Sequence, residues 1–232
     1  MDVDNDGYIY ILDGRNGRVT KWRPGIFNGT LVAGGNGLGN NANQLNWPTA
    51  MFVDPSTFVI WIADTNNHRI VKWLSPTTST VVCGSYGRED HQFMYPSGLF
   101  IDTSDSNTLY VADKNNHRIQ MWPPTATSGT TVAGITGYYG EGNNQLWYPQ
   151  AVVVDTNRNM YIVDGQNRRI MRWMIGASSG VSIGQTITFS TRSVQYWIPK
   201  NINFDSNGSL FVTDTRNNRI QKFAVSCRKL HE

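Results

Sequence analysis

The chain has 232 residues, of which 39% are hydrophobic, 12% aromatic and 16% charged, and its formal net charge is +3. That length fits one domain, and the modest apolar fraction leaves the aromatic side chains to supply much of the packing area. The even charge balance does not announce a nucleic-acid binder, no stretch is long and apolar enough to span a membrane, and the two cysteines, Cys83 and Cys227, make no disulfide framework.

Taken in chain order, the predicted elements repeat. Residues 9–12 are a run of aromatic and β-branched types that reads as a strand covered on both faces; it ends at Asp13. A second strand opens at Arg18 and closes at Trp22, and a third spans 30–34. The second repeat adds an inner strand over 50–54, then 60–63, Asp64, Arg69 to Trp73, and 80–84. The third follows with 98–102, 109–112, Asp113, Arg118 to Trp122, and 130–134. The fourth has 151–155, 160–163, Asp164, Arg169 to Trp173, and an outer strand expected at 185–189. The fifth has 201–205, 210–213, Asp214, and Arg219 to Phe223. Four of the inner strands follow closely on a proline, Pro48, Pro96, Pro149 and Pro199, which suits a strand entry where no ladder donor is needed.

The aspartates recur at intervals of 51, 49, 51 and 50 residues. A period near fifty with four short antiparallel strands per unit predicts an all-β propeller, one blade per repeat. Within each repeat the pattern is aspartate, two variable residues, asparagine, one residue, arginine, a β-branched aliphatic, and an aromatic three positions on. The hairpin should bring each aspartate back to its arginine: Asp13 to Arg18, Asp64 to Arg69, Asp113 to Arg118, Asp164 to Arg169 and Asp214 to Arg219. The aspartates are expected to accept loop amides, the arginines to reach aspartates or loop carbonyls, and the asparagines to tolerate a positive φ. A catalytic group is needed once and a scaffold device in every blade, so these fifteen residues read as structural.

Residues 61–70 (WIADTNNHRI) and 110–119 (YVADKNNHRI) resemble the NHL repeat, and the resemblance extends in register over nearly the whole chain. It implies a β-propeller, commonly of six blades, and little chemistry. Members of that family include RNA-binding and protein-binding domains, extracellular sensor domains, and a peptide-amidating lyase that uses a metal with histidine ligands. That ligand set does not map onto this sequence. The first and last repeats look incomplete, since most of the first inner strand and the last outer strand are missing; such open edges invite self-association or membership of a longer ring. Residues 1–227 form the propeller, and the tail 228–232 fits no repeat and is compatible with a vector-derived addition.

The crossings between blades are the most individual segments, and loops on a rigid scaffold are where binding residues gather. Tyr86, Arg88, Asp90, Tyr138, Tyr139, Glu141 and Trp147 are the candidate contact surface, with Tyr148 beside them, because tyrosine, tryptophan and arginine are the usual interface anchors. Trp47, Tyr95, Tyr148 and Trp197, each at or next to the residue before a repeat proline, are expected to pack on the scaffold. His68 and His117 share one loop position, which holds Gly17, Arg168 and Asn218 elsewhere; that variation predicts a slot that is solvent-facing or loosely constrained, while two equivalent histidines facing a central channel are weak metal candidates, with His91 a distant third. The turns of the type Asp2-Val-Asp-Asn-Asp-Gly7 lack the glutamate of a calcium loop and read as hairpin turns. No nucleophile elbow, zinc helix or phosphate-binding glycine loop occurs, and no cofactor is indicated. Two sequons, at Asn28 and Asn207, are compatible with an extracellular setting, although Asn-Gly also simply makes a turn, and no signal peptide opens the chain. The reading is a non-enzymatic scaffold whose loop face recognises a protein, peptide or glycan. The alternatives are a metal-dependent lyase or hydrolase with a channel site and, less favoured, an RNA-binding propeller.

Overall fold

The computed structural model describes residues 1–183, 196 and 199–223. It is a five-blade β-propeller, one blade per repeat, with no helix beyond single 3₁₀ turns among the described residues. The first blade is β1 (Asp2–Val3), β2 (Ile9–Asp13), β3 (Arg18–Trp22) and β4 (Thr30–Gly34), and the second is β5 (Ala50–Val53), β6 (Ile60–Asp64), β7 (Arg69–Ser75) and β8 (Thr78–Cys83). The third is β9 (Pro96–Asp102), β10 (Thr108–Asp113), β11 (Arg118–Trp122) and β12 (Thr130–Gly134). The fourth is β13 (Pro149–Val154), β14 (Met160–Asp164), β15 (Arg169–Trp173) and β16 (Val181–Ile183), and the fifth is described as β17 (Pro199–Phe204), β18 (Leu210–Asp214) and β19 (Arg219–Phe223). Strands pair antiparallel with their sequence neighbours, and the blades stand in chain order in a ring around a central channel.

Two expectations shift. The missing inner strand of the first repeat is present as a two-residue stub, β1, paired with β2. The outer strand of the fourth blade lies at Val181–Ile183, paired with β15, and residues 185–189 fall outside the described residues. Cys227, Trp197 and the tail 228–232 also lie outside them.

The core is divided into four cores, each between adjacent blades. Side chains alternate across a strand, so one strand feeds two of them. In β6, Ile60 and Ile62 pack toward the first blade while Trp61 and Ala63 pack toward the third. In β10, Leu109 and Val111 face the second blade and Tyr110 and Ala112 the fourth. In β14, Met160 and Ile162 face the third blade and Tyr161 and Val163 the fifth. This is why these runs read as continuously apolar. The aromatic that closes the motif is buried in the three middle blades, at Trp73, Trp122 and Trp173, each within a core between neighbouring blades. Cys83 is free and buried in one of these layers, and burial pushes its thiol up to about 12, so it is an apolar packing group.

At the end of each blade away from the crossing loops, an aspartate closes the first hairpin. Asp4 accepts the Asp6 and Tyr8 amides, Asp155 those of Asn157 and Asn159, and Asp205 those of Asn207 and Ser209, at 2.7–3.1 Å. These are Asx turns, and they lie in the hairpin turns that the sequence predicts. The sequon residues Asn28 and Asn207 are both exposed.

Candidate functional site

The loop face is built from the repeated aspartate upward. Register pairs Asp64 with Arg69, Asp113 with Arg118 and Asp164 with Arg169 across their hairpins. One oxygen of Asp113 accepts the Met94 amide at 2.7 Å; the other accepts Asn116 Nδ2 and Arg118 Nε, both at 2.8 Å. Asp64 and Asp164 repeat this with Asn46 and Trp147 as the amide donors. The rest of each guanidinium holds the crossing loop that arrives from the preceding blade. Arg69 donates to the carbonyls of Asn40, Asn41 and Gln44, Arg118 to those of Glu89 and Gln92, and Arg169 to those of Glu141, Gly142 and Gln145. The clasp therefore joins blades and fixes the loops that carry the candidate surface.

The asparagines do not bend the chain as expected. Asn67 and Asn116 sit inside the 3₁₀ turn and Asn167 in the matching turn of the fourth blade, and they donate to the aspartate and to the crossing-loop carbonyls of Gly39, Gly87 and Gly140. The positive φ falls one residue later, at Gly17, His68, His117, Arg168 and Asn218, because that residue caps the turn in the left-handed region. This also corrects the histidine slot. Its backbone is fixed in every blade, and His117 is only 6% exposed.

What covers His117 is aromatic. Its ring lies 5.3 Å from Tyr139 and 4.8 Å from Tyr148, centroid to centroid, and Trp147 stacks on Tyr139 at 4.9 Å and 24°. His68 repeats the arrangement one blade earlier, 4.8 Å from Tyr86 and 4.5 Å from Tyr95. Each Nδ1 accepts a backbone amide, from Tyr95 to His68 at 3.1 Å and from Tyr148 to His117 at 3.2 Å. That assigns the proton of the neutral ring to Nε2. Burial holds both imidazoles below their ordinary pKa; Arg88 lowers His117 further, while Asp64 partly opposes the effect at His68. Tyr86 and Tyr139 occupy matching places in their loops, bridged to the buried anchors Phe93 and Leu146. Tyr95 and Tyr148 hold φ of 55° and 49°, a strained setting for bulky residues, as does Trp47 at 49°.

Of the candidate residues, the structure thus groups Tyr86 with His68, and Tyr139 and Trp147 with His117. Arg88 reaches across to the next crossing, where a Cβ on Gly137 would meet its Nη1 at 3.3 Å. Tyr138 is exposed at the tip of that crossing, where its amide donates to the Ile135 carbonyl. Asp90 and Glu141 stand apart from the aromatic sets: the Asp90 carboxylate is 3.8 Å from Arg118, and the Glu141 carbonyl accepts Arg169. The pre-proline aromatics are not all scaffold packing, since Trp47 and Tyr95 are 46% and 39% exposed. The two histidines were the signal that could have found these sets, because they mark the blades where tyrosines flank the cap.

The residues do not fit a metal centre. Each histidine has its Nδ1 occupied and sits in its own aromatic set, and the described residues hold no group of three or more His, Cys, Asp or Glu that could bind an ion.

The NHL repeat model matches residues 93–122 and 198–223. The chain carries NHL repeats on a five-blade β-propeller. No curated protein matches its sequence. Among solved structures, a nidogen/laminin complex superposes with a TM-score of 0.69 at 16% identity, covering 94% of this chain and 72% of that one. A streptogramin B lyase gives 0.62 at 14%, covering 95% and 63%, so the chain spans less than two thirds of the lyase. An auxiliary nutrient binding protein from Bacteroides thetaiotaomicron gives 0.54 at 22%, covering 72% and 44%. At these identities the likeness is one of fold.

Proposed function

We propose that this NHL propeller is a non-enzymatic binding module whose loop face recognises a protein, peptide or glycan. The observation that carries the reading is the pair of tyrosine–histidine–tyrosine sets on adjacent crossings. The structural clasp recurs in every blade, but these sets occur at the second-to-third and third-to-fourth crossings, while the matching cap in the first blade is Gly17. Tyr86, Tyr138 and Tyr139 are 62%, 70% and 58% exposed although they sit on loops pinned by buried arginines. Large aromatics held rigid in water lose little conformational freedom on binding and offer flat apolar faces edged by hydroxyls, which suits peptides and sugars alike. Structures with this fold described as a nidogen/laminin complex and as a nutrient binding protein are in keeping with a recognition role.

The test is a screen of the intact chain against peptide and glycan libraries, followed by titration of the best binder against the variant Tyr86→Ala/Tyr138→Ala/Tyr139→Ala. Loss of these three exposed tyrosines should weaken binding by at least about tenfold, roughly 1.4 kcal/mol or more. Binders that hold the triple variant as tightly as the parent would sink the assignment.

A further inference from the structure

The inner strands enclose a cavity of about 530 Å³, lined by β5, β9, β13 and β17 and by the turn residues Thr65 and Lys114. Its mouth on the loop face is formed largely by the residue after each inner-strand proline, namely Thr49, Ser97, Gln150 and Lys200. Most of these polar groups are occupied with one another. The Thr49 hydroxyl donates to the Ser97 carbonyl at 3.0 Å, Thr65 to the Pro96 carbonyl at 2.8 Å, and Ser97 to the Pro149 carbonyl at 3.0 Å, so they tie neighbouring blades together. Gln150 Nε2 donates to the Tyr148 carbonyl at 3.2 Å.

The two ammonium groups are different. Lys114 projects from the turn of the third blade and is half-buried; Lys200, the second residue of the inner strand of the fifth, is exposed. Neither makes an ion pair among the described residues. Among the described residues Lys114 has the Tyr148 ring alone, at 6.0 Å, the outer limit of a cation–π contact. The other turns place glycine or threonine where Lys114 stands, and the other inner strands place threonine, serine or glutamine where Lys200 stands, so the blade architecture does not require either cation. Burial, and then the nearby Lys200, lower the pKa of Lys114. The one carboxylate among the lining residues, Asp2, pairs in register with Tyr10, toward the far end of the channel, and its oxygens accept the Val3 and Val53 amides.

We infer that the loop-face mouth of the channel is an anion site, where Lys114 and Lys200 together hold a compact oxyanion, the carboxylate or phosphate group of a small ligand whose body enters the cavity. A half-buried ammonium and an exposed one at the same concave mouth repel each other, and an anion between them removes that repulsion while meeting two donors. The volume lies within the range of small-molecule sites. This site adjoins the His117 set at Tyr148, whose ring lies 6.0 Å from the Lys114 ammonium, but it uses neither Tyr86 nor Tyr139.

Titration calorimetry on the intact chain tests it, with citrate, inorganic phosphate and sodium chloride as titrants at matched ionic strength. The expected result is saturable binding of citrate, phosphate or both, weakened at least about tenfold in Lys114→Gln/Lys200→Gln and kept in Lys114→Arg/Lys200→Arg. The tighter of the two titrants identifies the group preferred. Tyr86→Ala/Tyr139→Ala should leave this binding unchanged, which keeps its outcome distinct from that of the loop-face reading. No saturation beyond the chloride response, or equal affinity in the double glutamine variant, overturns the site.

Discussion

The middle blades and the first blade carry the same motif and have different physics. In the third blade Arg118 is fully buried, bonded to Asp113 on one side and to the crossing-loop carbonyls of Glu89 and Gln92 on the other. In the first blade Arg18 meets Asp13 at 3.0 Å with 46% of its side chain exposed, and among the described residues it donates to no crossing-loop carbonyl. The cores follow the same line. Every residue of β14 is buried, whereas β2 and β19 leave Ile11 and Ile220 exposed, and among the described residues no core joins the fifth blade to the first. The lesson is that the energetic value of a repeat residue is set by the neighbouring blade, which its own motif does not reveal.

The largest expected effect tests the clasp. Removing one partner of a buried, fully bonded ion pair leaves the other charge stranded, so Arg118→Ala should destabilise by about 3–5 kcal/mol. Arg18→Ala breaks a solvated pair and should cost about 0–1 kcal/mol. Urea unfolding of the two variants measures the difference. Equal losses would mean that the pair itself, not the loop it holds, supplies the stability. A smaller effect of the same kind sharpens the comparison for the cores: Ile162→Val should cost about 0.5–1.5 kcal/mol, and Ile11→Val less than that, because one of the two sites is closed on every side. Hydrogen exchange should rank the strands the same way, with β10 and β14 amides opening more slowly than those of β2 and β18.

The period and the clasp were legible because both are written in side chains at fixed spacing. Asp113 and Arg118 are five apart, and a hairpin register can only bring them together. The continuous apolar run of β10 likewise announced burial on two faces, which the two flanking cores supply. The other half of the clasp was legible only in kind: loop carbonyls are the expected acceptors for the arginines, but which ones, such as those of Glu89 and Gln145, leaves no mark on residue type. The same holds for Asn116. Its side chain suited a positive φ as well as a turn donor, and only the three-dimensional turn shows that His117 takes the positive φ. Tyr95 and Tyr148 looked like scaffold because each precedes a proline, yet each also donates its amide to a histidine. Lys114 and Lys200 were invisible in a linear reading, because they lie far apart in the chain and meet only across the channel.

The smallest effect concerns protons, and it distinguishes the middle of the molecule from its first blade once more. His117 accepts the Tyr148 amide at Nδ1 and lies beside Arg88, and burial followed by that cation depresses its pKa; the cap of the first blade is Gly17, which cannot titrate. In the unfolded chain the imidazole returns to its ordinary value of 6.5. Between that value and the lower folded one, the unfolded state binds more protons than the folded state. Stability is therefore undiminished above about pH 6.5 and falls as the pH drops below it. His68 adds a weaker contribution of the same sign, since Asp64 opposes the burial effect there. Asparagine tolerates the left-handed backbone and fills this slot at Asn218, so His117→Asn keeps the cap while removing the titration. Thermal unfolding from about pH 8 to pH 5 should show a shallower loss for His117→Asn than for the parent, and the shallowest for His68→Asn/His117→Asn. An unchanged slope in the double variant would place the acid sensitivity in the carboxylates, and the two histidines would then be caps whose protonation the fold does not feel.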